Sequence, residues 1–298
     1  MTPNEYLAQV LKSQNLADDS DEMKELILHR QDVEKILRAK FSDAAPAIRY
    51  GGSKVKGTLI RESYDLDVVF YVPNDNNSAG ETLKDIYTNV WTELRKHYDT
   101  QPKTSAIRLR SRDQNSFGQD FHIDVVPGRF TDDTKSDCFL YQNGGEKGRL
   151  KTNLDEHIRH IRDSGVVDAI RLLKLIRVRR IVSVKQFVYE LLTIKLLATK
   201  KMSPLSAQLE HVLQQIADTT DPIGVEDPAN PSGNDLSGLL ASVWPELSAT
   251  AQSILSTVER SGWEAVFGPV ETASKDELIA RATVLAGTVE RPTRPWAG

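Results

Sequence analysis

A single cysteine, Cys138, stands in 298 residues. It excludes an internal disulfide and any zinc site built on several thiolates, and it fits a reducing compartment. Histidine is also scarce, at six residues, and only His157 and His160 lie close together. Three apart on an expected helix, they read as a solvated face before they read as a metal pair. No charge of one sign dominates: 38 Lys and Arg stand against 42 Asp and Glu, a formal net charge of −4. Nothing global therefore demands nucleic acid, and only local basic patches are left open. No apolar run approaches the roughly 20 residues that span a bilayer, so no membrane partner is expected. The opening MTPNEYLAQVLK has no cationic segment leading into an apolar one, so it does not read as a signal peptide. It reads as a helix start, with Thr2 as N-cap, Pro3 in the first turn and Glu5 closing a capping box. A cytoplasmic protein is the expectation.

What is present falls into two parts. Residues 3–15 and about 21–41 read as helices, the second with Met23, Leu26, Ile27, Val33, Ile36 and Leu37 at helical spacing. Strands are expected at Ala47–Tyr50, Asp65–Val72, Ser105–Arg110, Phe121–Val126 and Cys138–Tyr141, with a helix over 81–98. The strand at 121–126 is expected to stop at Pro127-Gly128. After Leu150 the strands end. Three or four helices follow over 154–217, then a loop, DPIGVEDPANPSGND, and helices at about 236–262 and 274–287. This order predicts an α+β lobe over 1–152 and a helical lobe over 153–290, with a flexible tail over 291–298. The helix at 21–41 is expected to act as a spine touching both lobes.

The candidate chemistry begins in GSKVKGTLIRESYDLDV, residues 52–68. Asp65 and Asp67 are two apart in a strand, so they share one face, while Leu66 and Val68 point into the core. Like charges so close are costly unless something positive sits between them. A hard divalent cation with oxygen ligands, Mg²⁺ or Mn²⁺, fits. Asp124 is the one acid within FHIDVVP. If its strand neighbours 65–72, three carboxylates could hold two ions, the clamp used for phosphoryl or nucleotidyl transfer. Upstream, Gly52-Ser53 lies in a loop expected to lead to a helix start at Gly57-Thr58, where backbone N–H groups and a serine hydroxyl can cradle a phosphate. The bland reading of D-x-D is a pair of aspartates at a strand edge.

Gly52-Ser53 followed by Asp65-Leu66-Asp67-Val68 resembles the signature of the polymerase-beta-type nucleotidyltransferases, with Asp124 placed like their third carboxylate. Two later segments narrow the branch. QFVYELLTI at 186–194 resembles a helix of the oligoadenylate synthetases, and DPANPSGND at 227–235 resembles their DPADPTxN loop. AIRLLK at 169–174 resembles the helix whose lysine holds a donor triphosphate. The resemblance is to the oligoadenylate-synthetase/cGAS/DncV-like nucleotidyltransferases, in the branch of the bacterial CD-NTases. It implies a bilobed core with a twisted mixed sheet plus a C-terminal helical lobe. It also implies nucleoside triphosphate substrates, ATP among them, a ribose hydroxyl acceptor, released pyrophosphate and a cyclic oligonucleotide second messenger in antiphage signalling. By matching position, Asp65, Asp67 and Asp124 would bind metal and Gly52 and Ser53 phosphate. Lys174 and Gln186 would contact triphosphate, Phe187 would stack on a base, and the Asp227 loop would belong to the nucleotide site. A regulatory protein partner, or conjugation through the C-terminal tail, is known among such relatives.

The chain departs from that pattern in places. Leu175 and Ile176 follow Lys174 where relatives often carry tryptophan, Gly233-Asn234-Asp235 replaces two asparagines, and no His/Cys/Cys zinc insertion is present. Each family-like residue also has an ordinary reading. Lys174 on an apolar helix would snorkel to water, Phe187 would be core, and the 227–235 loop would be a helix-capping connector. The basic stretch Arg171, Lys174, Arg177, Arg179, Arg180 and Lys185 is either a solvated face, a nucleotide-attracting wall or a nucleic-acid ridge. A linear oligonucleotide synthase, a transferase acting on RNA or a small molecule, and a non-catalytic nucleotide-binding scaffold remain alternatives.

Overall fold

The computed structural model describes residues 1–63, 66–110, 122–144 and 148–270, the side chains of Glu22 and His122 excepted. The chain opens with helices α1 (Pro3–Ser13) and α2 (Asp21–Lys40). The cap read from the sequence starts α1, where the Thr2 hydroxyl accepts from the Glu5 amide and the Glu5 carboxylate from the Thr2 amide; at α2 the Ser20 hydroxyl accepts from the Met23 amide. Then come β1 (Ala47–Gly51), the short α3 (Gly52–Lys56), β2 (Leu66–Val72), α4 (Leu83–Leu94), β3 (Asp99–Pro102), β4 (Ile107–Arg110), β5 (His122–Phe130), β6 (Cys138–Tyr141) and β7 (Arg149–Thr152). From there the described chain is helical: α5 (Leu154–Arg162), α6 (Val167–Arg179), α7 (Gln186–Leu196), α8 (Leu205–Asp218), α9 (Ser237–Ala241), α10 (Trp244–Ser261) and α11 (Glu264–Phe267). None of the described helices is long and apolar enough to cross a membrane.

The strands form one mixed sheet in the order β1-β2-β5-β4-β3, with β6 against β5 and β7 against β6. Only β2 and β5 pair in parallel among the described strands. The pleat sorts their side chains. Leu66, Val68, Phe70 and Val72 join Ile123 and Val125 in a core closed by α2 and α4. Val69 and Tyr71 face the other way, into a smaller cluster with Phe130, Cys138 and Leu140. Asp67 and Asp124 alternate with the core residues and so lie on that second face.

The helices bury a separate core running from Ile161 to Phe267. Helix α1 belongs to it, through Tyr6, Leu7, Val10 and Leu11, and the Tyr6 hydroxyl donates to the Gly268 carbonyl. The buried residues of α2, by contrast, are all in the sheet core. The N-terminal segment thus reaches both cores, with a different helix in each.

The expected stop at Pro127-Gly128 is wrong: β5 runs on to Phe130. On its outer edge β5 pairs with β4 as far as Val125 and with β6 from Gly128. Pro127 sits at the changeover, where that edge has no partner, a place that tolerates a residue without an N–H. Gly128 has a different reason. A Cβ there would lie 2.5 Å from Cys138 Sγ, 2.8 Å from Leu140 Cδ2 and 2.9 Å from the Phe139 carbonyl oxygen. The end of the strand reads as a turn because its two turn-forming residues serve the crossing of two partner strands. Strands β3 (DTQP) and β7 (RLKT) carry too few β-branched residues to announce themselves. The expected helix at 274–287 and the tail at 291–298 lie outside the described residues.

The close approach at Gly128 predicts that Gly128→Ala destabilises by about 1–3 kcal/mol through overpacking. Urea denaturation checks it; an unchanged midpoint would contradict the tight β5–β6 contact.

Candidate active site

Parallel pairing puts Asp67 directly opposite Asp124. Neighbouring strands lie about 4.8 Å apart, so the two carboxylates rise from adjacent backbones on one face. Asp65, the third expected member, lies outside the described residues. Asp124 is already engaged. Arg108, its cross-strand partner on β4, donates Nε to Oδ1 at 2.9 Å and Nη2 to Oδ2 at 2.8 Å. This bidentate pair is the geometry in which arginine holds a carboxylate best. It leaves the second lone pair of each oxygen, since a carboxylate offers about four acceptor sites.

On the other edge of β2, Asp67 pairs with Gly51, the residue that leads into α3. Gly52 has φ +79°, and a Cβ there would come within 3.0 Å of Asp67 Oδ2 and 3.4 Å of Asp67 N. Only glycine combines that backbone conformation with that approach. The Gly52-Ser53 turn is therefore laid against the Asp67 carboxylate, with Ser53 buried beside it. Two carboxylates facing one way, with a glycine turn closing over one of them, form an oxygen-rich donor set that fits a hard divalent cation.

The turn is tied to the helical part. Glu190, on α7, is 2% exposed. Its Oε1 accepts from Thr58 Oγ1 at 3.0 Å and from Gln186 Nε2 at 3.3 Å, and its Oε2 lies 3.3 Å from Lys56 Nζ. Lys56 Nζ also stands 5.0 Å from the centre of the Phe187 ring. Gln186 and Phe187 are thereby brought beside the end of the Gly52-Ser53 turn. Gln186 Oε1 is buried and has no partner among the described residues. Its orientation follows from the bond of Nε2 to a carboxylate. Phe187 is half-buried against the helical core, its ring 4.6 Å from that of His157 at a 49° tilt. A base stacking here would share the ring with His157 and Lys56.

Asp227 is one step further back. It is 1% exposed. Its Oδ1 meets His157 Nε2 at 2.6 Å and the Ala229 amide at 2.9 Å, and Oδ2 accepts from Asn234 Nδ2 at 2.7 Å. The carboxylate folds its own loop and anchors His157 behind Phe187. Lys174 does not snorkel: it is 2% exposed on α6 between Leu173 and Leu175.

Three other members of the basic stretch bind within the chain. Arg171 binds the carbonyls of Leu59 and Leu11 and the Asn15 side chain, Arg177 the Val184 carbonyl, and Arg179 Glu62 and the Phe267 carbonyl. Lys54 pairs with Asp18 at 2.9 Å.

Arg108, Glu190 and His157 were not singled out as site residues from the sequence. Arg108 alternates like any exposed strand residue. Glu190 had one usable signal, an acid amid Val188, Tyr189, Leu191 and Leu192. His157 read as part of a solvated face and is instead half-buried as the partner of Asp227.

Burial opposes charge on Asp227, but the hydrogen bonds and charge of His157, with those of Asn234 and the Ala229 amide, hold its carboxyl below the usual range. A group depressed in the folded state stabilises above its unfolded value, about 3.9, and that contribution is lost as pH falls through the folded value. Asp227→Asn is expected to cost about 1–3 kcal/mol at neutral pH and to flatten the stability curve below about pH 4. Urea melts from pH 3 to 7 check this; an unchanged acid limb would contradict it.

No family model and no curated protein matches the sequence. Solved structures do match. E. coli CdnC, in its complex with HORMA-deltaN, superposes with a TM-score of 0.65 at 18% identity, covering 90% of this chain and 98% of that one. The CD-NTase CdnG of Bradyrhizobium diazoefficiens, in complex with GTP, gives 0.68 at 12% identity over 95% and 98%. The cyclic AMP-GMP synthase DncV of Vibrio cholerae, a prokaryotic cGAS homolog, gives 0.58 at 16% over 93% and 86%. At these identities the likeness is one of fold, and the α+β fold expected from the sequence resemblance is borne out: the chain has the fold of the cGAS/DncV-like nucleotidyltransferases, the CD-NTases.

Proposed function

We propose that this chain is a nucleotidyltransferase that joins nucleoside triphosphates into a cyclic oligonucleotide, releasing pyrophosphate. The observation that carries the reading is the pairing of Asp67 with Asp124 across parallel strands, under the Gly52-Ser53 turn. The likeness to DncV, a cyclic AMP-GMP synthase, and to CdnG in complex with GTP supports the product class and the substrates. A role in antiphage signalling and a regulatory protein partner belong to the same proposal; the CdnC structure contains a HORMA protein.

Asp67 and Asp124, with Asp65 beside them in sequence, would hold Mg²⁺ or Mn²⁺. Such ions supply charge neutralisation at the reacting phosphate and a more acidic acceptor hydroxyl. The protein's own residues do the rest. The Gly52-Ser53 turn offers backbone N–H groups and a hydroxyl to the β- and γ-phosphates. Lys56, half-buried beside that turn, adds a positive charge. Phe187 presents a ring face, which accepts any base. A ribose hydroxyl oxygen held in line then attacks the α-phosphorus as its proton passes to the Asp124 carboxylate, the bond to the bridging oxygen breaks, and pyrophosphate leaves with the electron pair. Arg108 keeps the Asp124 carboxylate aimed while the site is open.

Purified protein given the four NTPs with Mg²⁺ or Mn²⁺ should release pyrophosphate and form a phosphatase-resistant product visible by mass spectrometry. Asp67→Ala should lower turnover by roughly 100-fold or more, since several kcal/mol of charge stabilisation are lost, with little change in melting temperature. A folded variant that retains full activity would sink the carboxylate assignment.

A further inference from the structure

Glu190 is an unexpected residue to find where it is. It carries a carboxylate at 2% exposure on α7, in a run whose neighbours Val188, Tyr189, Leu191 and Leu192 are all buried. A buried carboxylate is costly unless hydrogen bonds and charge compensate it. Here three donors do so, and their origin is informative. One, Gln186, is on the same helix; the other two, Lys56 and Thr58, come from the end of the Gly52-Ser53 turn, more than 130 residues earlier.

The connection continues inward. Thr58 is fully buried, and its amide donates to the Ser53 carbonyl at 2.9 Å. Gly57 closes the turn at φ +76°, with its amide on the Lys54 carbonyl at 3.2 Å. A continuous path therefore runs from Glu190 through the Thr58 side chain and amide to the Ser53 backbone. A second runs from Glu190 through Lys56 to the Phe187 ring. A third fixes the Gln186 amide. The turn, the half-buried ring and the amide are all held by one carboxylate.

We propose that Glu190 is a positioning residue that locks the Ser53 turn and the start of α7 into one rigid unit, so that both meet a nucleoside triphosphate in a single geometry. The proposal rests on the nucleotidyltransferase reading for its ligand, but the lock itself exists without one. Thr58 carries the mechanical link to the turn, and Lys56 carries the charge balance. Replacing Glu190 with glutamine keeps an acceptor for Thr58 and removes the charge facing Lys56.

Two measurements separate the lock from its use. In ligand-free protein, hydrogen exchange at the Gly57 and Thr58 amides should accelerate at least about tenfold in Glu190→Ala and in Thr58→Val. It should accelerate no further in the double variant, because both changes cut one path. Equal exchange in wild type and variants, or additive acceleration, would overturn the lock. With ATP and Mg²⁺, Glu190→Ala should raise the dissociation constant by roughly 10–100-fold, as expected for losing a charge-assisted contact network. Glu190→Gln should restore most of the exchange protection and only part of the affinity. Weaker binding with no such split between the two variants would make Glu190 a purely structural residue and overturn the positioning role. If wild-type protein binds no NTP while the exchange coupling holds, the functional reading fails and the lock stands.

Discussion

The parallel pairing of β2 with β5 is the constraint on which the rest depends. In a sheet whose other described strands all run antiparallel, that one pair sets Asp67 against Asp124. A shift of register by one residue would send one carboxylate into the core with Ile123 and Val125 and bring an apolar side chain out. The register is held because the opposite face of both strands is fully buried under α2 and α4. The hydrophobic core thus aims the acids, and the acids themselves contribute nothing to that choice.

Around this pair the chain assembles positive and polar groups from distant segments. Arg108 comes from β4, the glycine turn from the end of β1, and Lys56 and Thr58 from just beyond it. The helices supply Gln186, Phe187 and Glu190, and behind them the His157–Asp227 pair. Three of these contacts, Lys56 and Thr58 to Glu190 and Lys56 to the Phe187 ring, join the segment after β1 to α7. Polar contacts at Glu190 thus tie the turn that follows β1 to a helix of the second hydrophobic core.

Much of this was legible in the sequence, and the limits have physical causes. Helix α1 was readable because capping is local: a hydroxyl and a glutamate three residues on fix the turn. Asp67 was readable because strand periodicity sorts faces. Asp124 could be proposed as its partner, yet its register opposite Asp67 is a long-range fact that no local pattern carries. Pro127-Gly128 misled because the same residues that end a strand also permit a change of partner. The burial of Lys174 was not legible, since an amphipathic pattern cannot tell a lysine that reaches water from one that is buried. Asp227 was placed by its motif, which does not carry the bonds it makes to His157, Ala229 and Asn234. The roles of Arg108 and Glu190 depend on partners that the chain brings together only when folded.

The central claim is that Asp67 and Asp124 form a divalent-cation cradle beneath the Gly52-Ser53 turn. The most direct test is anomalous diffraction from crystals grown with Mn²⁺ and a non-hydrolysable ATP analogue. The account predicts a manganese peak within about 2.0–2.3 Å of oxygens from both carboxylates, with the analogue's phosphates on the Ser53 turn. An analogue bound with no manganese at either aspartate, and the Arg108–Asp124 pair intact, would contradict it.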